Sequence, residues 1–227
     1  MSVPRAVLAS GSGRYADPWH PFAETTAALA DVLGSAGFRV ERYDDVDLAL
    51  TRLDGAALLA VNAGDPWRGE GSEERVPAAS RQGLEAALAR GVGVLAMHTS
   101  VSSLRDYPAW APAVGAVWLP GLSFHPPRGE TRVTGGPAQL GAVPVPHEGF
   151  ALHDERYTRL QLLGERTVLA THAPEGDAAD DDAAVWVREH GDSRVAVDVL
   201  GHGPESYASR EHRALIAALA RWAARLS

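Results

Sequence analysis

The run Gly91-Val92-Gly93-Val94-Leu95-Ala96-Met97 carries no charge and stops abruptly at His98-Thr99-Ser100. An alternating pattern would mark a strand with one wet face. An unbroken apolar run of this length marks a strand covered on both faces. It follows an alanine-rich amphipathic segment, residues 80–90, which reads as a helix. Helix followed by doubly buried strand is the unit of a parallel α/β sheet. Such sheets bind ligands outside the carboxyl ends of their strands, which makes His98 the first candidate for chemistry.

The flanking chain repeats this rhythm. Residues 3–9 read as a strand, 22–36 as a helix stopped by Gly37, 38–43 as a strand, 48–53 as a short helix and 56–61 as a third buried strand. The expected fold is a doubly wound, mainly parallel sheet flanked by helices, with residues 1–227 as one domain. Beyond His98, residues 102–107 and 108–114 read as short helical pieces. Strand-like segments at 130–134, 149–153, 167–171, 183–188 and 193–199 predict extra strands in the C-terminal half. Residues 174–182 read as an acidic hairpin tip. Residues 210–226 form a closing amphipathic helix with Leu215, Leu219 and Trp222 on one face.

Composition removes several classes of function. The 21 basic residues are all arginine, against 29 acidic ones, for a net charge of −8. Binding a phosphate backbone requires a basic face, so a nucleic-acid partner is not expected, and no basic cluster points to a membrane surface. The absence of cysteine excludes disulfides, thiolate ligands and a cysteine nucleophile. No stretch approaches the ~20 apolar residues of a membrane helix, and the first residues lack a signal-like apolar run, so a cytoplasmic location is expected. The glycine-rich loop from Ser10 to Arg14 lacks both G-x-G-x-x-G and a lysine. It reads as a tight turn rather than a phosphate cradle.

Five of the nine histidines fall at the ends of predicted elements: His20, His98, His125, His153 and His202. Loops at one sheet edge bring such residues together. A shared cluster would suit proton transfer near neutrality or a metal held by three protein ligands. Loop histidines that only hydrogen-bond are the plain alternative. Asp154 and Glu155 are consecutive, so on a strand they face opposite ways. One carboxylate serves as acid, base or ligand while the other pairs elsewhere. Trp19 and Trp67 lie in loops, where aromatic faces would stack on sugars, whereas Trp110, Trp118 and Trp222 are expected in the core. Thr99 and Ser100 neighbour His98, and adjacency is poor geometry for a hydroxyl nucleophile and its base.

His98 after a buried strand, Trp110, Gly115, Phe124-His125-Pro126, Asp154-Glu155-Arg156-Tyr157, Val185-Trp186, Leu200-Gly201-His202 and Arg221-Trp222, with His20-Pro21 near the first helix, resemble the ThuA-like family of trehalose utilisation. The resemblance spans essentially the whole chain. One departure is Gly203, where an aspartate commonly follows the histidine. The resemblance implies a class I glutamine amidotransferase-like fold and a role in carbohydrate metabolism on keto-sugar intermediates. Where the amidotransferases place a cysteine, this chain has Met97-His98-Thr99, so thiolate amidotransfer is excluded.

On these grounds His98, Glu155 and His125 are the expected catalytic residues. His20, Trp19, Trp67, Asp154, Tyr157 and Tyr207 are expected to bind substrate. His98, His125 and His202 are the expected ligands of a divalent metal such as zinc. The expected partner is a small carbohydrate, with self-association left open. Acid–base chemistry on a keto-sugar or keto-glycoside leads, while a metal-dependent glycoside hydrolase and a non-catalytic sugar-binding or regulatory domain stay open.

Overall fold

A computed structural model describes residues 2–67, 76–137, 139–146, 148–173 and 182–226. The first half runs β1 (Arg5–Ser10), α1 (Phe22–Ser35), β2 (Arg39–Tyr43), α2 (Val46–Leu50), β3 (Leu58–Asn62), α3 (Ala78–Ala89), β4 (Gly93–Met97), α4 (Trp110–Val114) and β5 (Ala116–Val117). The second half runs β6 (Gly129–Thr134), β7 (Gln139–Leu140), β8 (Val143–Pro144), β9 (Phe150–Asp154), β10 (Gln161–Leu162), β11 (Thr167–Ala173), β12 (Asp182–His190), β13 (Ser193–Asp198) and α5 (Arg210–Ala223).

Nine strands form one sheet in the order β2-β1-β3-β4-β13-β12-β11-β6-β9. The first five are parallel, and each neighbour from β12 to β9 is antiparallel to the one before it. The register Leu58 opposite Gly93 and Val94 opposite Val195 places β4 between two parallel partners, and all five of its residues are buried. This is the doubly covered strand that the apolar run predicts. A Cβ on Gly93 would lie 2.5 Å from the Ala223 carbonyl oxygen, so glycine there lets the end of α5 rest on β4. Two short ladders, β5 with β10 and β7 with β8, stand outside the main sheet.

Strand direction decides where the loops go. The four reversals from β13 to β9 leave β9 running the same way as the parallel strands. The chain after β9 therefore emerges at the edge where β1, β3, β4 and β13 also end. Sequence patterns cannot show this, because it depends on how many antiparallel strands lie between.

Some boundaries differ from expectation. The short helix α2 starts at Val46 because the Asp45 carboxylate accepts the Leu48 amide at 2.9 Å, an N-cap. Residues 102–107 form bends and turns, not a helix. Leu104 sits at φ +48°, and Pro108 follows, which together stop helical propagation. The expected acidic tip at 174–182 lies outside the described residues apart from Asp182. Among the described residues, no helix is long and apolar enough to cross a membrane.

Candidate metal centre

Each functional side chain is aimed by a local device. After β1, Asp17 folds its loop by accepting the Trp19 and His20 amides at 2.9 and 3.0 Å, an Asx turn. The same carboxylate takes the His20 Nδ1 hydrogen at 2.7 Å. A carboxylate only accepts, so Nδ1 carries that hydrogen and Nε2 points inward. His98 follows β4 at φ +44° and opens a 3-10 turn through Val101. That left-handed conformation is costly for a non-glycine residue and marks a site that the surrounding fold holds in place. Its Nδ1 donates to the Val199 carbonyl at 2.7 Å, which again turns Nε2 inward.

Asp154, the last residue of β9, has both oxygens engaged. It accepts the Gly201 amide at 2.7 Å, the His202 amide at 3.2 Å, the Ser206 hydroxyl and its neighbour Glu155's amide at 2.7 Å. It thereby ties the loop after β13 to the loop after β9. As the backbone turns past Asp154, Glu155 enters the space among the histidines. Its Oε2 lies 3.4 Å from His98 Nε2 and 3.9 Å from His20 Nε2, and its Oε1 lies 3.2 Å from His202 Nδ1.

His20, His98, Glu155 and His202 thus bring one ligand atom each within 4.8 Å of one another. Their rings crowd together, with His20–His202, His20–His98 and His98–His202 centroids at 4.7, 5.1 and 5.4 Å. Burial alone would raise the Glu155 carboxyl, but the imidazoles of His20, His202 and His98 outweigh it and hold Glu155 far below the usual carboxylate range. Burial pushes His98 down, towards neutral imidazole. His20 resists the same burial because Asp17 and Glu155 hold it up.

Three buried atoms in this cluster have no hydrogen-bond partner: His20 Nε2, His202 Nδ1 and Glu155 Oε2. Orphaned buried polar atoms are costly singly, and three facing one point call for something to bridge them. A divalent cation among the four groups would bridge these atoms. Its ligands would sit about 2.0–2.1 Å away, so it would span pairs up to roughly twice that, and the three separations from Glu155 fall inside this limit. Three imidazoles and one carboxylate suit zinc and similar transition metals better than calcium or magnesium. Asp17 on His20 and the Val199 carbonyl on His98 stand where the outer partners of metal-binding histidines would.

The cluster floors a cavity of about 410 Å³ lined by Asp17, Trp19, Asp65, Thr99, Ser102, Trp118, His125, Arg128 and Tyr157 besides His20, His202 and Glu155. Tyr157 donates to His98 Nε2 at 3.1 Å. Asp65 is held by Arg105 at 3.1 Å. The structure rearranges the expected site in five respects. His20 joins the histidine cluster, whereas it was expected to bind substrate. His125 stands at the mouth with its Nδ1 bonded to the Pro126 carbonyl at 3.0 Å, 3.5 Å from Glu155, and is not one of the four converging groups. Asp154 is consumed by backbone and hydroxyl donors and does not line the cavity. Tyr207 is buried behind Gly201 and does not line it either. Trp118 lines the cavity and packs edge-on to Tyr157 at 4.6 Å, because β5 ends one residue earlier, while Trp110 and Trp222 are core.

Trp19 lines the cavity at 57% exposure, and Trp67, two residues after Asp65, is 48% exposed outside it. His153 is exposed on β9. Asp17, Asp65, Thr99, Ser102 and Arg128 were not anticipated from the sequence. Asp17 and Asp65 left a readable sign, the Asp-Pro-Trp spacing of an Asx turn.

The fold is shared by solved structures. A ThuA-like protein from Parabacteroides merdae is 16% identical, with TM-score 0.76 over 98% of this chain and 90% of that one. A ThuA-like protein from Bacteroides uniformis is 15% identical, with TM-score 0.71 over 97% and 91%. A β-galactosidase from Rahnella sp. R3 is 15% identical, with TM-score 0.64 over 96% of this chain but 31% of that much longer one. By sequence, no curated protein is significantly similar. The chain matches the ThuA family, described as trehalose utilisation, over residues 12–223. This match covers nearly its whole length, and the chain belongs to that carbohydrate-utilisation family.

Proposed function

We propose that this protein is an enzyme that acts on a keto-sugar or keto-glycoside, with a divalent metal held by His20, His98, Glu155 and His202. One observation carries the reading: buried, unpartnered nitrogen and oxygen atoms converge at the floor of a cavity with tryptophan walls. The cavity volume is that of a small-molecule site. Trp19 and Trp118 offer the aromatic faces on which sugar rings stack, and Asp65 and Arg128 offer groups for hydroxyls.

A bound divalent ion acts as a Lewis acid towards a carbonyl oxygen. Polarisation of that kind makes the neighbouring C–H more acidic, and a base must then accept the proton. His125 stands at the mouth outside the cluster and is the imidazole placed to do so, with Glu155 as the carboxylate nearest the reacting centre.

The test is metal content and solvent isotope exchange in wild type beside His98→Ala. The expected result is stoichiometric divalent metal in wild type, loss of it in the variant, and deuterium entering a carbon position of a keto-sugar. Solvent oxygen appearing in product would replace this reaction with hydrolysis. Sugar binding with neither event would make the protein a binding domain.

A further inference from the structure

We propose that Tyr157 guards the metal position and then serves its ligand: its hydroxyl caps His98 Nε2 until a divalent cation takes that lone pair, and thereafter donates to an oxygen atom held in the cavity. The inference rests on the reading of the cluster as a metal centre. His98 Nδ1 faces a carbonyl, which only accepts, so the hydrogen of the neutral ring sits on Nδ1. Nε2 is then an acceptor, and the contact with Tyr157 at 3.1 Å has the phenol as donor. One lone pair cannot hold both a hydrogen bond and a cation.

The tyrosine can change partners without moving. Its ring lies against His98 and Trp118, each with centroids 4.6 Å away, and its carbonyl accepts from His172 Nε2 at 2.9 Å. Only the O–H must rotate about the C–O bond. Tyr157 also lines the cavity, so the redirected hydrogen meets whatever oxygen occupies the space above the cluster.

The experiment compares zinc binding to the metal-free full chain, wild type and Tyr157→Phe, by competition with a chromophoric chelator. With zinc alone and no ligand in the cavity, the freed hydroxyl donates only to solvent. Removing the competitor therefore predicts about 2- to 10-fold tighter zinc binding in the variant, the range set by one net hydrogen bond. A tyrosine that merely supports packing predicts the opposite sign. Zinc added to wild type should also give a near-ultraviolet tyrosine difference spectrum as the hydroxyl changes partner, a readout that needs no variant to fold. Equal or weaker zinc binding by Tyr157→Phe, or no difference spectrum in zinc-loaded wild type, overturns the role of Tyr157 alone. No zinc bound by wild type overturns the metal-centre reading with it.

Discussion

Two buried histidine–carboxylate groups lie on opposite sides of the loop after β13, and they differ in one respect. Behind the loop, His212 Nε2 donates to Asp198 at 3.0 Å and Nδ1 donates to the Ser206 carbonyl at 2.9 Å. Asp198 further accepts the Leu200 amide at 3.0 Å, and both residues are fully buried. In front of the loop, His20, His98, His202 and Glu155 are almost as buried, yet three of their inward-facing atoms have no partner. A saturated pair has nothing left to bind and holds the backbone. An unsaturated cluster of the same residue types calls for an ion, a ligand or ordered water to complete it. Satisfaction, more than residue type or burial, separates scaffold from site.

The sharpest break of this contrast is Asp198→Ala. It strands a buried imidazolium, and breaking a buried pair costs about 3–5 kcal/mol. Urea unfolding should show that loss, and a loss within experimental error would remove the scaffold role. Next in size is stabilisation by added zinc at a concentration near 100 times its Kd. Linkage gives about 2.7 kcal/mol in wild type, and Glu155→Gln and His98→Ala should show none. Equal stabilisation of all three proteins would place the zinc elsewhere.

Asp17→Asn tests whether the site has the outer support that a metal centre needs. Loss of such a partner weakens metal affinity about 10- to 100-fold, readable by chelator competition, and unchanged affinity would detach Asp17 from the centre. The pH dependence of the rear pair is smaller. Burial lowers His212, but the Asp198 charge outweighs it and raises the group above its ordinary 6.5. A folded-state value above the unfolded one means that the stabilisation is full below about pH 6.5 and is lost as pH rises through the raised value. The stability gap between wild type and His212→Gln should therefore narrow at alkaline pH, and a constant gap would refute the charged pair. As the smallest effect, Asp31→Asn should cost about 0–1 kcal/mol, because its bond to Arg213 at 2.5 Å lies on the exposed surface.

Much of the fold was readable because it rests on local periodicity. The β1, β3 and β4 strands are apolar runs bounded by turn residues, and α1, α3 and α5 carry helical spacing. The segment 102–107 misled because its composition suits a helix, while its path is set by the packing of Leu104 and Tyr107 into the core. In the site, His98 and Glu155 were visible as a polar residue ending a buried strand and a carboxylate past a strand end. His20 was visible as a loop residue but not as a member of the cluster, since its membership depends on Asp17 turning the ring inward. His125 was visible as a histidine past an aromatic, but that it stands outside the four converging groups was not. Its position after Phe124 suits a ligand, but Pro126 holds its nitrogen at the mouth.

The amino-acid order alone determined that a central buried strand ends in a histidine, that no thiol chemistry operates here and that the sheet is largely parallel. Those properties depend on residue type and spacing within a few turns of chain. Only the tertiary structure decided which histidines meet, because residues 20, 98, 155 and 202 come together through strand order and direction. The four reversals between β13 and β9 bring Glu155 to the same edge as the histidines. Tertiary packing also decided which polar atoms were left without partners, since satisfaction is a property of neighbours and not of sequence.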